Sequence, residues 1–334
     1  MILIVSHEGN EHVEQVRRHL TAESVVVNTA WFPGSLGLEA EFGRLGERLV
    51  LVLPDGRHID LSEVGAVWYR RISAFDLPAD LVDPVARLFA WSETNEAVLG
   101  LWYSLDCYWM NRPTADEISQ RKIRQLQVAR KLGLSVPETL ITNDAAAARE
   151  FVQRHGVGRV VRKAFRNIPQ APRTTALVGE SELALIESVR YAPVIFQEFV
   201  PADVDLRVTV IGDEIFAAAI HSEPAYRTDY RVGLESATVV PYQLPAGVAA
   251  GVLDLMKEFD IQYGALDFRV TPEGEHVFLE VNPAGEYLFI SQRTGQPIAA
   301  AIAAALERHD RAWQSRAPYE PATTRAVPDL DPFT

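Results

Sequence analysis

The chain has a single cysteine, Cys107, in 334 residues. That excludes an internal disulfide and a cysteine-based zinc site, and it fits a reducing, cytoplasmic setting. Basic residues are outnumbered: 32 Lys and Arg stand against 45 Asp and Glu, for a formal net charge of −13. A general nucleic-acid binder needs a basic face to meet phosphates, and this balance excludes it. No stretch approaches the roughly 20 apolar residues of a membrane span. The opening MILIVSHEGNEH lacks the cationic segment of a signal peptide. There is no internal repeat and no GxxxxGK[ST] phosphate loop. What is present is globular composition, 48% hydrophobic and 23% charged. The length suggests two to three domains at about 150 residues each. An acidic ligand would have to find its countercharge in single Lys and Arg residues, against a repulsive overall field.

Residues 1 to 112 read as an α/β unit. MILIVS, SVVVNT and AVWYRR are strands, and residues 10–20 carry a helical pattern. RLVLVLP and DGRHIDL suggest a hairpin turning at Asp55-Gly56. Asp83-Pro84, a cap followed by an N1 proline, starts a long helix to residue 105. A second unit, 114 to about 198, holds a helix over 116–132 ending at Gly133, a helix over 144–155, the strand RVVRKAF, a helix over 181–189 and the strand APVIFQEFV. The third, 203 to 309, is strand-rich, with helices over 247–258 and 296–308. The tail from about 311 is proline-rich and reads as extended or disordered.

The most informative stretch is YGALDFRVTPEGEHVFLEVNPAG, Tyr263 to Gly285. Two apolar runs flank the turn-forming Pro272-Glu273-Gly274-Glu275. A hairpin closed by that four-residue loop puts Asp267 opposite Glu280, with Cβ atoms about 4.5–5.5 Å apart. Asn282 shares the face of Glu280. Leu266, Phe268, Val270, Val277, Leu279 and Val281 are then the core face. Two facing carboxylates repel, so a cation must offset them or one must hold a proton. Three oxygen-bearing side chains suit Mg²⁺; an incidental pair on a solvated strand is the alternative.

Other polar residues interrupt apolar runs. Lys163 shares a strand face with Val161 and Phe165, which suits either a snorkelling edge lysine or a phosphate contact in a cleft. Lys122, beside Arg121 and Arg124, looks by itself like part of a solvated helix face. Glu198, Asp203 and Asp205 sit where VIFQEFV gives way to DLRVTVIG, and Arg207, Arg227 and Arg231 follow. Those arginines could simply form ion pairs with the nearby acids. His221 and His276 read as structural.

The order Lys122, Lys163, QEFV, Asp205-Leu-Arg, GALDFR, FLEVNPAG resembles the ATP-grasp ligases. WYRR, NRP, KIRQLQVARKLGLSVPETLITN, RVTVIGDEIFAAAI and NPAGEYLFISQRTG resemble their peptide-modifying branch, the graspetide synthetases or microviridin-type macrocyclases. The resemblance spans residues 1 to about 308. It implies an α/β ATP-grasp fold: a Rossmann-like pre-ATP-grasp domain over 1–113, a small central lobe over 114–200, a C-terminal lobe with the metal site over 201–310, and a tail over 311–334. It implies ATP and Mg²⁺ as cofactors. Lys122 and Lys163 match the two ATP-contacting lysines, Glu198, Phe199 and Val200 the adenine hinge, and Asp205 the ribose acid. Asp267, Glu280 and Asn282 match the Mg²⁺ ligands, and Arg207 and Arg231 match arginines near the γ-phosphate and acyl-phosphate. Glu286-Tyr287-Leu288-Phe289, after the NPAG turn, departs from the family pattern on the acceptor side. The implied activity is phosphorylation of Asp or Glu side chains in a ribosomal precursor peptide, followed by ω-ester or ω-amide ring closure. Its implied partner is that peptide with its leader segment, with no nucleic acid and no membrane, and a homodimer is an assembly it allows. Two other readings stay open: addition of amino acids to a peptide or protein carboxylate, and a nucleotide-binding regulator without turnover. The loop 166–175 is placed to close over the site as a lid against water.

Overall fold

The computed structural model describes residues 1–44, 46–165, 175–226 and 228–316. The expected lid at 166–175, except Thr175, Arg227, and the tail beyond 316 lie outside the described residues.

The first sheet has the order β2-β1-β6-β7 and is parallel, built from β1 (Ile2–Val5), β2 (Ser24–Val27), β6 (Ala66–Tyr69) and β7 (Tyr108–Met110). Helix α1 (Glu11–Arg17) crosses from β1 to β2. The two inner strands of this sheet, β1 and β6, are four-residue apolar runs because both faces are covered. A second sheet joins β3 (Gly37–Gly43), β4 (Gly46–Val52) and β5 (His58–Asp60). The β4–β5 hairpin turns at Asp55-Gly56, where Gly56 has a φ of +84° and Asp55 accepts from the Arg57 N–H. Strand β3 is an addition to the sequence reading: its residues are mostly exposed, so it carries little apolar pattern. Asp83 caps α2 (Pro84–Ser104), with Pro84 in its first turn as expected.

The segment read as one helix over 116–132 is two, α3 (Pro113–Ser119) and α4 (Lys122–Lys131). Arg121 breaks them with extended backbone, φ −75° and ψ 105°. This break makes Lys122 the first residue of α4. A third, antiparallel sheet of order β10-β9-β11-β8 follows, from β8 (Thr139–Thr142), β9 (Val160–Lys163), β10 (Ala176–Leu177) and β11 (Val194–Glu198), with α5 (Ala145–His155) and the short α6 (Glu180–Ala184) alongside. The expected helix over 181–189 is α6 plus a 3-10 turn over Ile186–Tyr191.

The largest sheet is antiparallel, β14-β13-β12-β15-β16, formed by β12 (Val204–Ile211), β13 (Glu214–His221), β14 (Thr238–Tyr242), β15 (Tyr263–Val270) and β16 (His276–Asn282). Helix α7 (Ala246–Glu258) and α4 cover one face, where Leu206, Val208, Leu266, Phe268, Phe278 and Val281 form a core with Leu255 and Val128. The helix expected over 296–308 is α9 (Ile298–Gln314), which runs six residues further, and α8 (Leu288–Thr294) before it is an addition to the sequence reading. Arg70, at the end of β6, ties the first sheet to the loop after β16: its Nη2 donates to Gly285 O at 3.0 Å. Its guanidinium lies among the rings of Trp68, Tyr263 and Tyr287.

The β15–β16 hairpin corrects the sequence reading. Asp267 does pair with Glu280, and Ala265 with Asn282. Beyond Asp267 the register slips by one, so Phe268 pairs with Phe278 and Val270 with His276. The closing loop is therefore Thr271 to Glu275, with Thr271 N–H donating to Glu275 O. A bulge changes which residues face the core beyond it. Phe278, not Val277 or Leu279, stacks edge-on against Phe268, and Leu279 lines the cleft.

Candidate functional site

Strand alternation builds a charged ladder on the face opposite the α7 core. Asp205 pairs with Arg269 and Arg207 with Asp267 across β12–β15, and Asp267 pairs with Glu280 across β15–β16. Arg269 Nε donates to Asp205 Oδ1 at 3.1 Å, and Arg207 Nη1 lies 3.2 Å from Asp267 Oδ1. Tyr230 OH donates to Asp267 Oδ1 at 3.4 Å. Glu280 accepts from Lys122 Nζ at 2.6 Å. A lysine at a helix N-terminus opposes the helix dipole, so this carboxylate holds it there. Gln125, on the same helix, bonds both backbone groups of Val281 and thereby registers α4 on β16.

Across from this ladder stand β9 and β11. Lys163 Nζ donates to Gln197 Oε1 at 2.6 Å, and Gln197 Nε2 donates in turn to Thr139. Between the two sheets lies a cavity of about 330 Å³. Lys122, Lys163, Glu198, Phe199, Val200, Asp205, Arg231, Asp267, Glu280 and Asn282 all line it. Arg207 does not; it lies behind Asp267, buried, over the Phe289 ring. Arg231 is half-exposed and grips Asp229 with Nε and Nη2, both at 2.7 Å. Asn282 Oδ1 accepts from the Ala284 N–H at 3.0 Å. At the inter-sheet segment, the N–H groups of Glu198 and Phe199 bond Glu138 O and Arg159 O, and Val200 O accepts from Arg269. Two of the ion pairs foreseen as the alternative reading are therefore formed, Arg207 with Asp267 and Arg231 with Asp229; Arg231 and both acids line the cleft.

The electrostatics follow from this burial. Burial raises the Asp267 carboxyl, with Arg207 opposing and the Glu280 charge adding to the rise. Burial also acts upward on Glu280, but Lys122 brings it down to about 2. Burial lifts Asp205 to about 6 against the Arg269 charge, and brings Lys163 down to about 8 against the pull of Glu280. An acid pair with one partner held up and the other held down by a lysine fits a site for a hard cation: two carboxylates and an amide oxygen are the right donor chemistry.

Sequence reasoning missed Gln197, Tyr230 and Arg269. A buried glutamine inside VIFQEF and an arginine two residues from Asp267 carry the same polar-in-apolar signal as Lys163. Tyr230 comes from an irregular loop, where no periodicity points to it.

Residues 1–117 match the family described as MvdD pre-ATP grasp domain. The macrocyclase MdnC from Microcystis aeruginosa, solved with its precursor peptide MdnA, is 31% identical, with a TM-score of 0.82 over 92% of this chain and 99% of that one. A RiPP-associated ATP-grasp ligase from Chryseobacterium gregarium, solved with ADP and a leader and core peptide, is 27% identical, with a TM-score of 0.84 over 92% and 96%. A probable alpha-L-glutamate ligase from Marinobacter nauticus is 24% identical over 66% of this chain and 74% of its own length. Among the described residues no helix is long and apolar enough to cross a membrane. With 31% identity to MdnC over 99% of that chain, and the family match over residues 1–117, the chain is a nucleotide-using ATP-grasp ligase and belongs to the microviridin-type macrocyclase branch of that family.

Proposed function

We propose that this ligase uses ATP to phosphorylate Asp or Glu side chains of a ribosomal precursor peptide and closes ω-ester or ω-amide rings. The observation that carries the reading is one cleft joining the facing acids Asp267 and Glu280 to three cationic side chains, Lys122, Lys163 and Arg231. In this reading the lobes 114–200 and 201–310 clasp the nucleotide, with the segment Glu198 to Val200 against its base and Asp205 at the ribose. Asp267, Glu280 and Asn282 would hold Mg²⁺, which supplies charge neutralisation to the transferring phosphoryl group. Lys122 and Lys163 meet phosphate oxygens. Arg231, reaching the cleft on an exposed loop, meets the reacting carboxylate, and Arg207 holds Asp267 from behind. A carboxylate is a poor electrophile; as an acyl-phosphate it is open to a hydroxyl or amine, provided water is kept out. A ribosomal precursor places the reaction in the cytoplasm, and a leader segment would bring the peptide to the site.

The similarity to a probable alpha-L-glutamate ligase favours a second reading, addition of amino acids to a peptide carboxylate. Co-expression with the product of the short reading frame beside the gene, followed by intact-mass analysis, separates the two. Ring closure removes one water per linkage, whereas ligation adds residue masses. Glu280→Gln, which keeps the shape but not the charge, should abolish either change without unfolding the protein; full activity in that variant would remove Glu280 from the site.

A further inference from the structure

Beside the nucleotide cleft lies a second cavity of about 810 Å³, between α2, the end of β6 and the α3–α4 corner. It shares Gln120, Lys122 and Phe165 with the cleft, so the two spaces adjoin along that wall. Its walls are largely apolar and aromatic, from Tyr69, Leu99, Tyr103 and Ile123. One carboxylate, Asp116 of α3, is buried against it at 8% exposure. Asp116 accepts a hydrogen bond from Gln120 and has no ion pair among the described residues. Of the five acids lining the cleft, Glu280 is paired with Lys122, Asp267 with Arg207, Asp205 with Arg269 and Asp229 with Arg231, while Glu198, in the inter-sheet segment, accepts from the Glu138 N–H. Glu117, the other acid of this cavity, is exposed and paired with Arg121.

We propose that this second cavity receives the peptide segment bearing the attacking hydroxyl or amine, and that Asp116 is the base for ring closure. The inference rests on the macrocyclase reading above. The nucleotide cleft is lined with cations suited to phosphate, none of which takes up a proton while charged. The nucleophile has to approach the acyl-phosphate from another side, and the shared wall at Gln120 and Lys122 gives that approach. In the step, the hydroxyl oxygen (or the nitrogen of a neutral amine) forms its bond to the carbonyl carbon and its proton passes to Asp116. The carbon–oxygen bond to the phosphoryl group breaks, and inorganic phosphate leaves with that electron pair. Asp116 then releases its proton to water. Burial lifts the Asp116 carboxyl to about 6, against the Gln120 hydrogen bond and the Arg70 charge. It is thus a stronger base than an ordinary carboxylate and still ionised at neutral pH. Arg70, Tyr69, Arg71, Tyr103, Glu117, Arg121 and Lys122 are the other titratable groups around it, from the end of β6, α2 and the α3–α4 corner.

The test is partition of the acyl-phosphate in the presence of hydroxylamine, a small nucleophile that is neutral at pH 7 and needs no base. The enzyme is assayed with its co-expressed precursor peptide and ATP. Wild type losing water establishes the parent reading in the same assay; no water loss and no hydroxamate in wild type would overturn both readings. Asp116→Asn should lower ring closure about a hundredfold or more, while hydroxamate accumulates on the peptide. Leu99→Trp, which narrows the cavity and leaves the Asp116 residue itself unchanged, should likewise shift product from ring to hydroxamate. If Asp116→Asn lowers hydroxamate and ring closure in parallel, Asp116 is a structural acid of α3 and the proposal fails. Ring closure at the wild-type rate in that variant overturns it equally.

Discussion

Lys163 shows how far a single residue carries the account. It was visible in the sequence as a cation in an apolar strand, and the structure buries its ammonium against Gln197, which lowers it to about 8 from an ordinary 10.5. The sign follows. Between those two values the unfolded chain holds the proton and the folded chain does not, so stability rises with pH across that window. Anionic phosphates beside Lys163 would restore its charge. Nucleotide binding at pH 8.5–9 should therefore take up a proton, and affinity should weaken as pH climbs above about 8. Calorimetry in two buffers of different ionisation enthalpy measures that uptake. Lys163→Met should abolish it and cost about 1.5–3 kcal/mol of binding; the same uptake in the variant would place the titrating group elsewhere. Asp267, Glu280 and Asp205 were legible for the same reason as Lys163, a charge where period-two alternation asks for an apolar or paired residue. Gln197 carries no charge, so its equivalent signal was weaker. Tyr230 has no periodic context at all.

At the scale of elements, the hairpin arithmetic placed Asp267 against Glu280, but not the residues nearer the turn. A β-bulge leaves no mark in a run such as HVFLEV, where every second or third residue is apolar in either register. The same limit applies to α3 and α4: nothing in DEISQRKIRQ marks a break, because Arg121 adopts extended backbone without a glycine or proline. That break sets Lys122 at the N-terminus of α4 and within reach of Glu280. The bulge has a measurable consequence. Phe278→Ala should cost about 3–5 kcal/mol, as for a buried aromatic, whereas Leu279→Ala, at the cleft wall, should cost far less. Denaturant unfolding of the two variants decides it; the reverse order would restore the unbulged register. Gln125→Leu should cost about 1–3 kcal/mol, since it strands the N–H and C=O of Val281. It should also weaken nucleotide binding by loosening α4 on β16, which Phe278→Ala at the far end of the hairpin should do less.

Over the whole molecule, a charge of −13 sets a problem for an enzyme of acidic peptides. A core peptide without its leader meets a repulsive field, so its encounter should improve with salt as the Debye length falls to about 8 Å at physiological ionic strength. A leader-bearing peptide, tethered at roughly millimolar effective concentration, should be much less sensitive. Arg231, at the cleft on an exposed loop, is placed to meet one carboxylate at a time. Arg231→Ala should reduce ring closure far more than leader affinity, and a collapse of leader affinity with normal turnover at saturation would make it a docking residue. The gross architecture was legible because α/β patterning runs along most of the chain and the acid hairpin stands out within it; the meeting of distant sheets to form two adjoining cavities was not, because no local pattern encodes it. The central claim, that a peptide carboxylate is activated by phosphoryl transfer in this cleft, has one most direct test. Precursor peptide carrying ¹⁸O in its Asp and Glu carboxyl groups is turned over with unlabelled ATP, and the released inorganic phosphate is analysed by mass spectrometry. One ¹⁸O should appear in phosphate for every water lost from the peptide. Ring closure with no label in the phosphate would contradict the account.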